Sequence, residues 1–353
     1  MPCLPDRRSL NYVLENLPFT RLHSLEEGQQ FCDLIGYTLT PDVRLQVWDL
    51  TVVDLHPFTL QGWLSSPKAL NGLRRACETL GLDLNAEHVT LLPDRLTVPD
   101  PFALVTSLEC PLYSTPERTE RVDTAVPGEY IFPLRRENDM FLVQIPNGYI
   151  GWAEALNFRI LSREDWIRWC RYDRALFVCD WEQDGILIPG GTELPLISDQ
   201  TVLLPTGTPM SVDKNLIVSS SPQQSQQYSA LLAVAQTLLG TPYVWGGCNS
   251  KGIDCSGFTR YVYSSIGYHL PRDADQQFRC GKISALPGTT ETLTAGDLLF
   301  FAGSCGGIGH VGIAVEPPET FIHAKGGQGV IISKLSDSEE FHGRFLLAKR
   351  MIR

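Results

Sequence analysis

The chain has 353 residues, of which 43% are hydrophobic and 20% charged, and its formal net charge is −11. This length exceeds one ordinary core, so we expect two to four domains. The acidic balance excludes a nucleic-acid partner, which requires a basic face. No apolar run approaches the roughly 20 residues of a membrane span, so we expect no membrane span.

The termini and cysteines indicate the compartment. Met1 to Thr20 lacks the apolar core of a signal peptide, which predicts a cytoplasmic protein. A leader removed before this sequence begins would instead make the protein secreted. The ten cysteines show no regular spacing, so neither a disulfide framework nor a metal site is expected. Cys32, Cys77 and Cys170 lie in apolar-periodic segments and are expected to be buried.

The first part of the chain, residues 1–95, is predicted to be a small α/β domain without an assigned role. Its pattern is helical from Ser9 to Gly36 and strand-like from Leu45 to Leu64. Ser66 to Gly81 is predicted to be a helix, with Ser66-Pro67 at its start and Gly81 at its end. A further strand is predicted from His88 to Leu92.

The middle of the chain reads as two small β-barrels. A proline-rich linker, 92–101, precedes the first, at residues 102–162, where turn residues recur every 8–12 positions. Its segment Asn147 to Trp152 resembles the DGYxGW segment of bacterial SH3-like domains. A second SH3-like barrel is predicted at 175–219, and a Ser/Gln linker follows at 219–227.

The last part, residues 228–353, is predicted to be an α+β domain in which helices precede and pack on an antiparallel sheet. The helices are expected at Tyr228–Leu239 and Ser256–Ile266. Five strands are expected: Asp297–Phe301, His310–Val315, Thr320–Ala324, Val330–Ser333 and Leu346–Met351. His310 and His323 therefore fall on neighbouring strands of one hairpin.

Cys255 is the candidate nucleophile, since it begins a helix behind a glycine-rich loop. A free thiol has a pKa of about 8.5, but a helix N-terminus favours the thiolate and a histidine can accept the proton. His310 is the candidate base and His323 the group that orients it. The loop glycines are expected to let backbone amides approach a reacting carbonyl. These glycines are Gly246, Gly247, Gly252 and Gly257.

Six segments of the last third resemble the NlpC/P60 family, which are papain-like cysteine peptidases of bacterial cell-wall peptides. They occur in the family's order: Gly240–Gly247, Asp254–Gly257, Leu270–Arg272, Ala295–Leu298, Gly309–Ile313 and Phe321–Ala324. The resemblance implies a papain-like fold for this domain. It also implies that Cys255 is the nucleophile, His310 the general base and acid, His323 its orienting residue and Tyr243 an oxyanion donor, with no metal or organic cofactor.

The resemblance further implies how substrate is bound. Asp254 and Ser256 flank the nucleophile, and Asp254 is expected to hold the free amine of an N-terminal L-Ala. Trp245 is expected to line that pocket, which Glu129 and Tyr149 of the first barrel would complete. A carboxylate suits this position, because an ammonium in a closed pocket needs a paired charge. Asp254 would also cap the helix.

The implied activity is hydrolysis of the γ-D-glutamyl–diamino acid bond of muropeptides during peptidoglycan recycling. Two alternatives stay open. One is a secreted murein endopeptidase or amidase that acts on intact wall. The other is a wall-binding protein whose barrels hold glycopeptide while the last domain is inert. The sequence makes no prediction of oligomeric state.

Overall fold

The computed structural model describes residues 9–183, 185–213, 217–219, 227–304, 306–336, 341 and 343–352. It confirms the predicted mixture of helices and sheets. Among these residues, no helix is both long and apolar enough to cross a lipid bilayer. The predicted domain limits, and the description of the two middle units as SH3-like, stay predictions.

The N-terminal region packs three helices against a three-stranded sheet. Its elements are α1 (Leu10–Glu15), α2 (Leu25–Leu39), β1 (Trp48–Leu55), β2 (Phe58–Leu64), α3 (Pro67–Thr79) and β3 (Leu84–Leu91). Strand β2 pairs antiparallel with β1 and parallel with β3. The helical character predicted from Ser9 to Gly36 is confirmed, in two helices separated by residues 16–24. Pro18 disfavours helix at the residue before it, and a new helix begins after the Ser24 cap.

The first middle unit is a seven-stranded antiparallel sheet in the order β10-β4-β7-β8-β9-β5-β6. Its strands are β4 (Ala103–Val105), β5 (Cys110–Tyr113), β6 (Arg121–Ala125), β7 (Tyr130–Glu137), β8 (Met140–Gln144), β9 (Ile150–Glu154) and β10 (Phe158–Ile160). Helix α4 (Arg163–Cys170), which the sequence analysis missed, follows it. The expectation that Cys170 is buried was wrong, because it ends this short helix on the surface.

The second middle unit is smaller. Its strands are β11 (Arg174–Phe177), β12 (Trp181–Gln183), β13 (Ile186–Ile188), β14 (Glu193–Ser198), β15 (Thr201–Leu203), β16 (Pro209–Ser211) and β17 (Ile217–Ser219). Five of them form a sheet in the order β16-β15-β14-β11-β17, and β12 pairs with β13 as a separate hairpin. Ala175, Phe177 and Leu194 are fully buried in its core.

The C-terminal region packs helices on a six-stranded antiparallel sheet in the order β20-β25-β21-β22-β23-β24. Its elements are α5 (Gln227–Thr237), β18 (Cys248–Asn249), β19 (Gly252–Ile253), α6 (Cys255–Ser264), α7 (Ala274–Gln277), β20 (Lys282–Ala285), β21 (Leu298–Ala302), β22 (Ile308–Glu316), β23 (Thr320–Lys325), β24 (Gly329–Lys334) and β25 (Phe345–Arg350). Both predicted helices and all five predicted strands are confirmed. The apolar core joins α6 to the sheet through buried residues such as Phe258, Val262, Phe300 and Val311.

Candidate active site

Cys255 is the first residue of α6, and Asp254 caps the helix. One Asp254 oxygen accepts from the backbone N–H of Gly257 at 2.7 Å, and the other accepts from that of Gly246 at 2.9 Å. The predicted capping role of Asp254 is therefore confirmed. The Cys255 side chain itself is 8% exposed, against the helix–sheet core.

The glycine loop before Cys255 packs closely against its own backbone. A Cβ at Gly247 would lie 2.3 Å from the carbonyl oxygen of Gly252, and one at Gly257 would lie 2.2 Å from that of Gly247. The glycines therefore let backbone pack against backbone behind Cys255. The amides of Gly246, Gly247 and Gly257 donate within this segment, and the approach of other backbone amides to a reacting carbonyl stays a prediction.

The Cys255 thiol is neutral in this environment. Burial, followed by the charge of Asp254, raises the pKa of the Cys255 thiol to about 12. The backbone N–H of Val311 and the guanidinium of Arg272 act in the opposite direction. Val311 directly follows His310 on β22. Formation of a thiolate at Cys255 therefore requires a proton acceptor near the His310–Val311 segment of β22.

His310 and His323 form the hydrogen-bonded pair predicted for neighbouring strands. His310 Nε2 lies 2.7 Å from His323 Nδ1, and His323 Nε2 lies 2.9 Å from Ser333 Oγ. Burial, followed by the positive charges of His310 and Lys325, lowers the pKa of His323 to about 3. His323 is therefore neutral at neutral pH, and its Nδ1 can accept from a protonated His310 while its Nε2–H donates to Ser333. Ser333 was missed from the sequence, although it ends a predicted strand.

Tyr243 and His310 share a cleft of about 240 Å³. Its other lining residues are Phe301, Gly309, Lys325, Gly326, Phe341 and Arg344. Burial raises the pKa of the Tyr243 phenol, and a thiolate at the nearby Cys255 would raise it further. Tyr243 thus lies near Cys255 as well as facing the cleft with His310, and it keeps its proton for donation.

A buried charge cluster lies behind the nucleophile. Arg272, only 2% exposed, donates from Nη1 to Asp254 at 3.0 Å and to Ser256 Oγ at 2.9 Å. Its Nε lies 2.8 Å from a carboxylate oxygen of Asp123, as an ion pair without hydrogen-bond geometry. Asp123 is fully buried and comes from β6 of the first middle unit, so that unit contributes directly to this cluster. The sequence analysis missed Asp123.

The remaining predicted residues are not all brought together. Ser256 is buried and donates to Asp254 Oδ1 at 3.3 Å. Trp245 is 61% exposed, so it is not a core aromatic. Tyr149 is buried near Arg272 and Asp123, whereas Glu129 lines a different cavity, near Arg260. Among the residues described, no group of three or more His, Cys, Asp or Glu side chains is placed to hold a metal ion.

Comparison with known proteins gives consistent matches. The NlpC/P60 family matches residues 240–350. Gamma-D-glutamyl-L-lysine dipeptidyl-peptidase of Bacillus subtilis (strain 168) is 30% identical over 233 residues, which are 64% of this chain and 73% of that protein. The probable peptidoglycan endopeptidase LytE of the same strain is 37% identical over 129 residues, 36% of this chain and 35% of that protein.

The solved structure of an NlpC/P60 family protein from Bacillus cereus ATCC 10987 superposes with a TM-score of 0.61 at 21% identity. It covers 71% of this chain and 100% of that chain. At this identity the likeness concerns the fold alone.

Proposed function

Because the chain belongs to the NlpC/P60 family and is accordingly a hydrolase of that peptidase family, we propose that it cleaves the γ-D-glutamyl–diamino acid bond of muropeptides. The observation that carries this proposal is the hydrogen-bonded series His310–His323–Ser333 beside a cysteine at a helix start. The bond specificity is proposed from the name of the Bacillus subtilis relative, which acts on a γ-D-glutamyl-L-lysine linkage.

The proposed reaction has two steps, formation of a thioester on Cys255 and its hydrolysis. His310 takes the Cys255 thiol proton as the sulfur attacks the γ-carbonyl carbon, and Tyr243 donates a hydrogen bond to the developing oxyanion. His310 then gives that proton to the leaving amine, which leaves a thioester. Water attacks the thioester with His310 as base, and the thiol regains its proton as the D-glutamyl acid departs. His323 accepts from His310 while that ring is charged.

We further propose that the substrate carries a free N-terminal L-Ala and that the enzyme acts in cytoplasmic recycling. Asp254 is the proposed amine partner, with Ser256, Trp245 and Tyr149 around it, whereas Glu129 lines a different cavity and is left out of this site. One observation favours the alternative of an endopeptidase that does not require the amine. Both Asp254 oxygens already accept from Arg272 and from backbone N–H groups. An ammonium would have to compete with these internal donors.

The test compares wild type, Cys255→Ala and Cys280→Ala on L-Ala-γ-D-Glu-diaminopimelate by mass spectrometry. Cys280 is a partly buried cysteine of the same domain that lies outside the cleft, so its variant is the matched control. Release of L-Ala-D-Glu by wild type and Cys280→Ala, but not by Cys255→Ala, is expected. Equal release by Cys255→Ala, or none by wild type, would contradict the proposal.

The N-acetylated peptide and intact murein sacculi separate the finer alternatives. Cleavage of only the free-amine peptide is the outcome expected for a recycling enzyme. Equal cleavage of the acetylated peptide would exclude amine anchoring by Asp254 while leaving the peptidase in place. Cleavage of sacculi would favour the murein endopeptidase or amidase, and binding of sacculi without any hydrolysis would favour the inert wall-binding protein.

A further inference from the structure

A second cavity, of about 360 Å³, lies where three parts of the chain meet. Its lining comes from the first middle unit, including Glu129 before β7, from the second middle unit, including Arg174 of β11 and the turn before β14, and from the C-terminal region, including α6 and the loop that follows it. It shares no lining residue with the cleft that contains Tyr243 and His310. Small-molecule sites typically measure about 300–1,000 Å³ and favour domain interfaces, so this junction has the size and position of a ligand site.

One end of this junction cavity holds a guanidinium, that of Arg174, which is only partly balanced by a carboxylate. Arg174 Nη1 is shielded from solvent and has no hydrogen-bond partner among the described residues. Burial lowers the pKa of Arg174, and the charge of Glu193 opposes that change only in part. An unsatisfied buried donor costs about 1–3 kcal/mol, and more when the group is charged. A ligand carboxylate in the cavity would pair with the Arg174 guanidinium, which lines it.

Another part of the cavity holds a carboxylate, Glu129, that has no hydrogen bond from a cation. Glu129 Oε2 accepts from the backbone N–H of Val126 at 3.1 Å, but Oε1 lies 3.8 Å from Arg260 Nη2, beyond hydrogen-bond distance. Arg260 is instead held by Asp123, at 3.0 and 3.1 Å from Nη1. Burial raises the pKa of Glu129 to about 7. A ligand ammonium would stabilise this carboxylate in its charged form.

We infer that the junction cavity binds a small zwitterion, namely an α-amino acid or a dipeptide with free ends. Its carboxylate would pair with Arg174, whose guanidinium offers paired donors, and its amine with Glu129. A purely anionic ligand would also meet the carboxylates of Glu129 and Glu193. A purely cationic ligand would meet the guanidiniums of Arg174 and Arg260. Only a zwitterion matches both sets of charges, and this inference does not depend on the peptidase activity.

The ligand test uses the full chain with Cys255→Ala, so that no probe is turned over, and isothermal titration calorimetry. The three probes are L-Ala-L-Ala, N-acetyl-L-Ala-L-Ala and L-Ala-L-Ala amide, which differ only in their end charges. The free dipeptide is expected to bind, and each blocked form to bind at least about tenfold more weakly. No binding of the free dipeptide, or equal binding of all three, would overturn the inference.

Variants in the same background locate the site. Arg174→Gln and Glu129→Gln, which lie in different walls of the cavity, should each weaken dipeptide binding about tenfold. Arg171→Gln is the surface control, and His310→Ala is the control for the catalytic cleft. Both should bind the dipeptide as tightly as the chain with Cys255→Ala alone. Thermal melting checks that each variant folds. If one cavity variant fails to fold, the affinity of the other alone tests whether the dipeptide binds in this cavity. Loss of binding in His310→Ala with retention in the cavity variants would overturn the inference.

Discussion

Ser333 is the last group of the hydrogen-bonded series that begins at His310. Replacing Ser333 with Ala removes the acceptor for the buried Nε2–H of His323, and an unsatisfied buried donor costs about 1–3 kcal/mol. We expect Ser333→Ala to lower kcat about tenfold with little change in KM, because the cost appears when His323 must hold a charged His310. Steady-state kinetics on L-Ala-γ-D-Glu-diaminopimelate measure both constants. Ser336→Ala, a nearby exposed serine, is the control, and an unchanged kcat in Ser333→Ala would contradict this role.

Ser333 also shows what the sequence could not predict about the site. Strands at Thr320–Ala324 and Val330–Ser333 were both expected, and both were confirmed. The contact depends on their register, in which Phe321 is opposite Ser333 and His323 is opposite Ile331. Periodicity gives the face of each strand but not this alignment. Pairing the two predicted strands through the turn between them is the one signal that would have placed Ser333 beside His323.

Protonation of His323 links the site to the stability of the fold. Its folded pKa, about 3, lies below the ordinary value of 6.5, so the unfolded chain binds the proton more readily. Stability is therefore present above pH 6.5 and is lost progressively as the pH falls from about 6.5 toward 3. The full effect is on the order of a few kcal/mol.

This pH dependence is measured by urea unfolding at pH 7 and pH 4.5. Wild type should lose more unfolding free energy on acidification than His323→Gln, whose amide does not titrate in this range. His269→Gln, which replaces an exposed histidine of the same domain, should behave like wild type. An identical loss in wild type and His323→Gln would show that His323 titrates normally in the folded protein.

The elements of the C-terminal region were largely predictable, and those that were missed are short. Helix α6 and the five strands follow clear apolar periodicities. Helix α7 and strand β20 each have four residues, too few to show a period.

Outside the C-terminal region, helix α4 was missed although Ser162 caps it, because its eight residues lie between two β units. The parallel pairing of β2 with β3 depends on tertiary packing rather than on local pattern.

The start of helix α6 packs closely against the glycine loop because Gly257 has no side chain. Gly257→Ala would place a Cβ 2.2 Å from the carbonyl oxygen of Gly247 and 3.0 Å from Asp254 Oδ1. Backbone cannot yield as a flexible side chain does, so we expect a loss of about 1–3 kcal/mol of unfolding free energy. Activity should fall as well, because Cys255 moves with the loop. Urea unfolding and peptide hydrolysis measure the two effects.

Gly326→Ala is the matched control for this substitution. Its Cβ would meet no atom within 4 Å, and its backbone does not adopt a left-handed conformation. It should therefore keep the wild-type stability. If Gly257→Ala were as stable as Gly326→Ala, the close backbone packing behind Cys255 would not be needed for the fold.

At the scale of the whole molecule, charges join parts that the sequence analysis treated as separate. Asp123 of β6 pairs with Arg272 and Arg260 of the C-terminal region, and Arg272 in turn holds Asp254. The two pairs made by Asp123 join residues more than one hundred positions apart, and no local pattern reveals them. The first middle sheet therefore helps to hold the residues around Cys255 in place. The N-terminal region, whose sequence showed no chemistry, is also joined to the C-terminal region by charged side chains.

Arg44 connects the N-terminal region to the C-terminal region. Its Nη1 lies 2.8 Å from Asp273 and 2.7 Å from Asp275, and its own loop supplies Asp42. The Arg44 side chain is 16% exposed, so the burial of this ion-pair network is intermediate between that of a surface pair and that of a fully buried pair. We expect Arg44→Gln to cost on the order of 2 kcal/mol in holding the two regions together, since it leaves Asp273 and Asp275 without their shared cation.

Limited trypsin digestion measures this connection, because Arg95 lies exposed in the segment that leaves the N-terminal region. Opening the contact raises access to that segment, and cleavage after Arg95 should become about tenfold faster or more in Arg44→Gln. Arg118→Gln is the control, since Arg118 pairs with Asp139 and Glu154 inside a single sheet unit. Faster cleavage in both variants would indicate general loosening. Unchanged cleavage in Arg44→Gln would mean that apolar packing alone, between residues such as Trp63 and Trp152, holds the N-terminal region in place.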